Sequence, residues 1–234
     1  MVLDLNKLLM DQGINPGDVH ALRHRPPQQK FNRVLPWLAA EQPHLFNAYQ
    51  QSQNPQVEKA LSKAKYVASC IAHGTGKALF IALFKVEGWR PVTMEEFWDI
   101  PENVEIASLG NPGFLPEEGR QTLLWFDLVQ TDVLSRWKGK LVVGWPAPAI
   151  TWHRSLATAL MPVLAIHEDS ALVKALPAWD EIDLGWAELQ IIPSNLKAAL
   201  AQWRGIYLIY DTSDRMGYVG SAYGKGNLLG RWEN

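Results

Sequence analysis

The hydrophobic pattern changes its period once, at Lys65, and that switch limits the fold more than any other feature of the chain. Before it, apolar residues recur three and four apart. Leu3, Leu5, Leu8 and Leu9 suit a short helix ending at Gly13, and Phe31, Val34, Leu35 and Leu38 share one face of a helix over residues 28–41. Two more helices are expected over residues 43–51 and 55–65, so the first 65 residues read as helical. After the switch, residues 66–71 and 78–86 are apolar runs with the composition of strands, and His73-Gly74-Thr75-Gly76 joins them as a hairpin turn. Thr93 followed by Glu96 predicts a short capped helix. Further strands are expected over residues 121–130, 139–145 and 161–167, with turn-rich stretches such as Gly110-Asn111-Pro112-Gly113 between them. A parallel doubly wound sheet would need longer intervening helices. The expected class is therefore α+β, with N-terminal helices packed on a bent, mixed or antiparallel, aromatic-rich sheet or small barrel. That architecture is assigned to residues 1–193, of which 1–65 are mainly helical and 66–193 mainly β. Residues 194–234 hold a connecting helix over residues 195–203, a hairpin and a final helix start, with no flexible linker at the junction.

Charge and cysteine content narrow the function classes. A net charge of -2 over 234 residues gives no global attraction to nucleic acid, so any DNA contact has to come from local basic patches. The single cysteine, Cys70, sits in an apolar run and reads as a small buried hydrophobe in a reducing, cytoplasmic setting. No apolar stretch is long enough to span a membrane, and none reads as a secretory signal. The six histidines have no zinc-site spacing. His73-Gly74-Thr75-Gly76-Lys77 joins two strands and opens no helix, which makes it a turn rather than a phosphate loop.

Near the C-terminal end, Gly205-Ile206-Tyr207 and Tyr218-Val219-Gly220 stand ten residues apart and are followed by Arg231. Strand alternation puts Tyr207 and Ile209 on one face and Ile206, Leu208 and Tyr210 on the other. The polar segment 212–217, ending in glycine, closes a hairpin that sets Tyr207 and Tyr218 near each other. A plain hairpin with core tyrosines has the same local pattern. A phenol serves as a base toward water only where positive charge stabilises the phenolate, and phosphodiester cleavage also needs positive charge at the phosphate. Arg231, expected on the first turn of a helix, carries a guanidinium matched to phosphate oxygens.

These paired triplets with the following Arg resemble the opening of the GIY-YIG endonuclease family, with Val219 in place of the usual isoleucine. The resemblance implies that Tyr207 positions or deprotonates the attacking water and that Tyr218 assists. It implies that Gly205 and Gly220 permit close backbone packing and that Arg231 stabilises the scissile phosphate. It further implies one Mg2+ held by a downstream Glu, and a late Asn. Glu233 and Asn234 stand too early for those roles, so no metal ligand is assigned in this chain, and no ion is expected on it. The chain is accordingly expected to be an inactive fragment of a longer, metal-dependent enzyme. Cutting both strands with one site per chain invites a homodimer.

The remaining residues carry candidates for DNA recognition. Eight tryptophans lie between Trp89 and Trp186, and any of them could stack a base or simply fill the core. Trp125-Phe126-Asp127 and Gly144-Trp145-Pro146 give the sheet region a loose similarity to PUA-like barrels, a class that includes readers of modified bases. Asp127 could bond a base edge or face solvent. Arg23, Arg25, Lys30 and Arg33 form one basic cluster, Arg136, Lys138 and Lys140 a second, and Trp152 with Arg154 a third; each could contact phosphate or be an ordinary solvated surface. The expected function is a divalent-metal-dependent DNA endonuclease with an N-terminal DNA or modified-base recognition domain, of the kind used in restriction or defence. The alternative is a non-catalytic module whose Trp-rich sheet binds a protein or small ligand.

Overall fold

The computed structural model describes residues 3–114, 120–148, 151–172, 176–224 and 226–233. The chain divides into two compact units, residues 1–174 and 175–234, so the boundary falls ahead of the expected junction at residue 193.

The first unit is a mixed α+β fold around a strongly curled half-barrel sheet. It opens with α1 (Leu5–Met10), whose N-cap Asp4 accepts a 2.8 Å bond from the Lys7 amide. Next comes β1 (Val19–His24), then α2 (Gln29–Glu41), α3 (Pro43–Gln51) and α4 (Pro55–Leu61). The first 65 residues are mainly helical as expected, but the strand β1 among them was not expected. All six of its residues are buried, yet His20, Arg23 and His24 interrupt its apolar run and hide the strand signal. After it come β2 (Tyr66–Ala72), the long β3 (Lys77–Thr93), α5 (Met94–Trp98), α6 (Pro101–Ser108) and β4 (Thr122–Gln130). The unit closes with β5 (Leu141–Gly144), β6 (His153–Ser155) and β7 (Val163–Ile166). The helix α6 and the strand β6 escape the sequence reading, one because only part of its face is apolar, the other because it is three residues long.

Six strands lie in the order β6-β1-β2-β3-β5-β7, and β4 pairs along β3. Only β1 and β2 are parallel. The curl comes from bulges, which add one residue to one strand and increase its twist. On β3 the register skips Ile81 between Ala82 and Phe80, and skips Glu87 between Val86 and Gly88. A third shift on β7 skips Leu164. The skip at Ile81 changes which residues face the main core: Ala78 and Phe80 before it, Leu83 after it. Those residues pack with Val19, Ala21, Ala68, Cys70, Leu141, Val143 and Met161, and Leu5 and Leu9 of α1 join them. Cys70 is buried as expected, and burial pushes its thiol up to about 12. A smaller aromatic cluster joins Val92, Phe97, Phe114 and Leu123 to Trp98 and Trp125. The Thr93–Glu96 capping box forms at α5, with bonds of 2.8 and 3.2 Å.

Polar groups cross-link this unit from within. Glu58 of α4 accepts bonds from Arg120 and from the Leu124 amide, and its ion pair with Arg120 is largely buried, with side-chain exposures of 11% and 17%. On β1, His20 Nε2 lies 2.9 Å from His153 Nδ1. Burial, then the neighbouring His153, lowers His20 to about 4, and burial lowers His24 to about 4 as well.

The second unit holds α7 (Trp186–Ile191), α8 (Ser194–Gln202), β8 (Gly205–Tyr210), β9 (Gly217–Ala222) and α9 (Asn227–Trp232). The helix expected over residues 195–203 starts one residue earlier, after Pro193, and α7 before it is not visible in the sequence pattern. The first turn of α9 is tied to the end of α8, since Asn227 Nδ2 donates to the Ala201 carbonyl at 2.9 Å and the Leu228 amide to that of Trp203 at 3.2 Å. No helix among the described residues is long and apolar enough to cross a membrane.

Two predictions follow from the buried polar groups. Unfolded His20 and His24 take up protons near pH 6.5 and the folded forms near 4, so the unfolded state binds more protons between those values. Stability is therefore full above about pH 6.5 and falls on acidification toward 4, by up to about 1.4 kcal/mol per pH unit for each histidine. Urea midpoints at pH 7.5, 6 and 5 read this directly, and a midpoint that holds constant over the range contradicts it. Glu58→Ala leaves the Arg120 guanidinium without its counter-charge and should cost about 3–5 kcal/mol by denaturant titration.

Candidate functional site

Among the described residues, each unit holds a place with the geometry of a site. In the second unit, β8 and β9 pair antiparallel with Tyr207 opposite Gly220 and Ile209 opposite Tyr218. All four therefore share one face, and the Tyr207 and Tyr218 rings stand 6.3 Å apart at 53°. The missing side chain at 220 is what allows this arrangement. A Cβ built there would lie within 2.9 Å of Tyr207 Cε2 and closer still to the end of the ring, so the phenol lies over the glycine backbone. Gly205, by contrast, has open space where a side chain would go. The close approach implied by the resemblance is thus present at Gly220 and has no steric counterpart at Gly205.

The turn that joins the strands holds itself. Asp211 Oδ1 accepts from the Ser213 amide and hydroxyl at 2.8 and 2.7 Å, and Asp214 Oδ1 accepts from the Met216 amide at 2.8 Å. The Ser213 bonds hold the Asp211 carboxyl below its ordinary value. Tyr218 is 62% exposed and Tyr207 partly so, which leaves both phenols open to solvent. Arg231 is also exposed, but on the last turn of α9 rather than the first, because the helix begins at Asn227. That helix packs on β9. Among the described residues no group of three His, Cys, Asp or Glu could hold a metal ion. Both turn carboxylates accept their local bonds through Oδ1.

In the first unit, the basic residues expected at a DNA surface divide sharply. Arg23 is buried in β1, 3% exposed, with Nε donating to the Lys77 carbonyl at 3.0 Å and a terminal nitrogen to that of Gly74 at 3.1 Å. Its guanidinium also lies 5.9 Å from the Trp145 ring centroid. Arg154 is similarly committed, to the carbonyls of His153, Pro146 and Pro148. These two arginines hold strands and loops together and do not belong to an open cationic surface. Arg25, Lys30, Arg33 and Arg136 are exposed, and Arg136 lies 4.7 Å over the Trp137 ring. Lys138 is half-buried, and burial lowers its ammonium, while Lys140 donates to the Glu168 carbonyl at 2.6 Å. Asp127 faces solvent on β4, and Trp125 packs edge-on against Phe97 at 6.1 Å.

Of the named candidates in this unit, Trp152 borders a cavity. The space is about 330 Å³, and its walls include His24, Tyr49, Phe97, Asn103 and Phe114. No local motif announces it. The lining comes from β1, α3 and the loop after it, α5, α6, the loop after α6, Arg120 with the start of β4, and the segment before β6, each contributing one to a few residues. Arg120, also on its rim, lies 5.5 Å over Phe114 and is neutralised by Glu58. Behind the wall His24 meets Gln50 of α3; both are buried, and they lie 3.3 Å apart.

Comparison with family models, with curated proteins and with solved structures gave no match to this chain.

Proposed function

We propose that this chain belongs to a divalent-metal-dependent DNA endonuclease of GIY-YIG type whose first unit recognises DNA. The observation that carries the reading is the pair of phenols, Tyr207 and Tyr218, held together on one face by the glycine at 220. The hairpin has no side chain at 220, which brings the Tyr207 ring over the backbone and beside Tyr218. In this reading Tyr207 orients or deprotonates the attacking water, Tyr218 assists, and Arg231 binds the scissile phosphate through its planar guanidinium. The divalent ion, when bound, supplies Lewis-acid stabilisation of the phosphate. No residue of this chain is assigned as its carboxylate ligand, and the nicking assay is run on the full native protein.

With magnesium and supercoiled DNA, that protein is expected to nick. Tyr207→Phe and Arg231→Ala should each lower the rate by about a hundredfold or more. Cleavage that survives both changes together overturns the assignment. Gly220→Ala should be nearly as damaging, because the new methyl group displaces the Tyr207 ring, whereas Gly205→Ala enters open space and should retain most activity. For the first unit, mobility shifts with unmodified and modified duplexes should show binding that weakens as salt rises, and Arg136→Ala should reduce the salt slope by about 1. An absence of any retarded complex at low salt removes DNA recognition and favours the alternative, a module that binds protein or small ligand.

A further inference from the structure

The cavity of the first unit has a chemistry that the hairpin reading does not use. Its walls are aromatic, from Tyr49, Phe97, Phe114 and Trp152, which suits a flat ligand. It is electrically neutral. Arg120 is paired with Glu58, and burial keeps His24 deprotonated and the Tyr49 phenol protonated at neutral pH. A phosphate or carboxylate would find no uncompensated counter-charge there, and desolvating one would be expensive. The size lies at the lower end for small-molecule sites, roughly 300–1,000 Å³.

The hydrogen-bonding lining is mixed, and its polarity can be traced. The Leu128 carbonyl can only accept, so Asn47 turns Nδ2 toward it at 2.9 Å. Asn47 Oδ1 then accepts from Gln50 Nε2 at 3.2 Å, and Gln50 Oε1 faces His24 Nε2 at 3.3 Å. That order requires the His24 proton to sit on Nε2, and Nδ1 becomes an acceptor with no partner among the described residues. The amides on the wall are half-committed in the same way. Asn103 gives Nδ2 to the Phe97 carbonyl and keeps Oδ1, while Asn111 gives Oδ1 to the Gly113 amide and keeps Nδ2. The site thus offers two defined acceptors and at least one donor around an aromatic slot.

We propose that this cavity binds a single nucleobase, either as a free nucleoside or extruded from DNA, and that His24 Nδ1 accepts a hydrogen bond from an amino group on the base. The DNA source, but not the pocket itself, rests on the recognition role proposed above. Extrusion is the route by which a base inside a duplex can present its edge to such a slot.

Calorimetric titration of the whole chain with adenosine, cytidine, inosine and uridine tests the proposal. Adenosine or cytidine should bind saturably, and at least about tenfold tighter than the counterpart in which a carbonyl replaces the amino group. Trp152→Ala, at a partly exposed position, should weaken binding about tenfold with the melting temperature unchanged. His24→Phe should abolish the preference for the amino-bearing base. No binding of any nucleoside, or equal binding of amino and carbonyl forms, overturns the proposal. Competition with a short duplex then assigns the source: displacement of the nucleoside by a mismatched duplex identifies an extruded base, and no displacement identifies the free nucleoside. The titration contains no phosphodiester, so its failure would strike the pocket alone and a failed nicking assay the hairpin alone.

Discussion

The first unit depends on how one strand changes partners. Over its 17 residues, β3 pairs with β2 along its first half and β4 along its second, while β5 takes its starting end. A flat strand of that length could not keep both halves against one compact core. The skip at Ile81 rotates the strand, so that Phe80 and Leu83 both face the main core although their spacing is odd, and the skip at Glu87 turns it again. Once β3 curls, its second half diverges from the main core and carries Val92 into the separate aromatic cluster with Phe97, Phe114 and Leu123. The cavity borders that second cluster, sharing Phe97, Phe114 and Leu123 with it. Bulges in the sheet thus lead directly to an open space beside it.

How much of this could be read from residues alone follows from how local each determinant is. The β8–β9 hairpin was legible down to the shared face of Tyr207 and Tyr218, because alternation and a polar turn are properties of neighbouring residues. The same holds for the helices from α2 to α4 and for the Thr93 capping box. The strand β1 was not legible, because its polar residues are satisfied from far along the chain: Arg23 by carbonyls at Gly74 and Lys77, His20 by His153, His24 by Gln50. A run of Arg and His looks like surface until those partners are known. The bulges leave only a faint trace, the Gly88 that follows the skipped Glu87. The cavity leaves almost none, since its wall is assembled from seven separated stretches.

The contrast between the two glycines of the hairpin motif is also a matter of physics rather than spelling. Gly220 is opposite Tyr207 in a directly facing pair, the geometry in which side chains approach most closely across two strands. The ring folds across to occupy the space that a side chain at 220 would need. Gly205 is opposite Ala222, which is fully buried, yet no atom lies within 4 Å of where its own Cβ would project. Two residues with equal standing in a motif therefore carry unequal structural weight.

Buried polarity in the first unit has a common logic. Three such groups are held by chains of bonds that end on a backbone carbonyl or amide: Glu58 on the Leu124 amide, Arg23 on two carbonyls, and the His24–Gln50–Asn47 relay on the Leu128 carbonyl. Backbone groups cannot reverse their donor or acceptor character, so each chain has a single permitted proton arrangement. The cost of burying these side chains is thereby converted into definition. An aromatic slot alone would accept any flat molecule. With the His24 tautomer fixed from the far end of a relay, the slot distinguishes an amino group from a carbonyl at the same position, and it does so without a charge that acidification near neutrality could switch off.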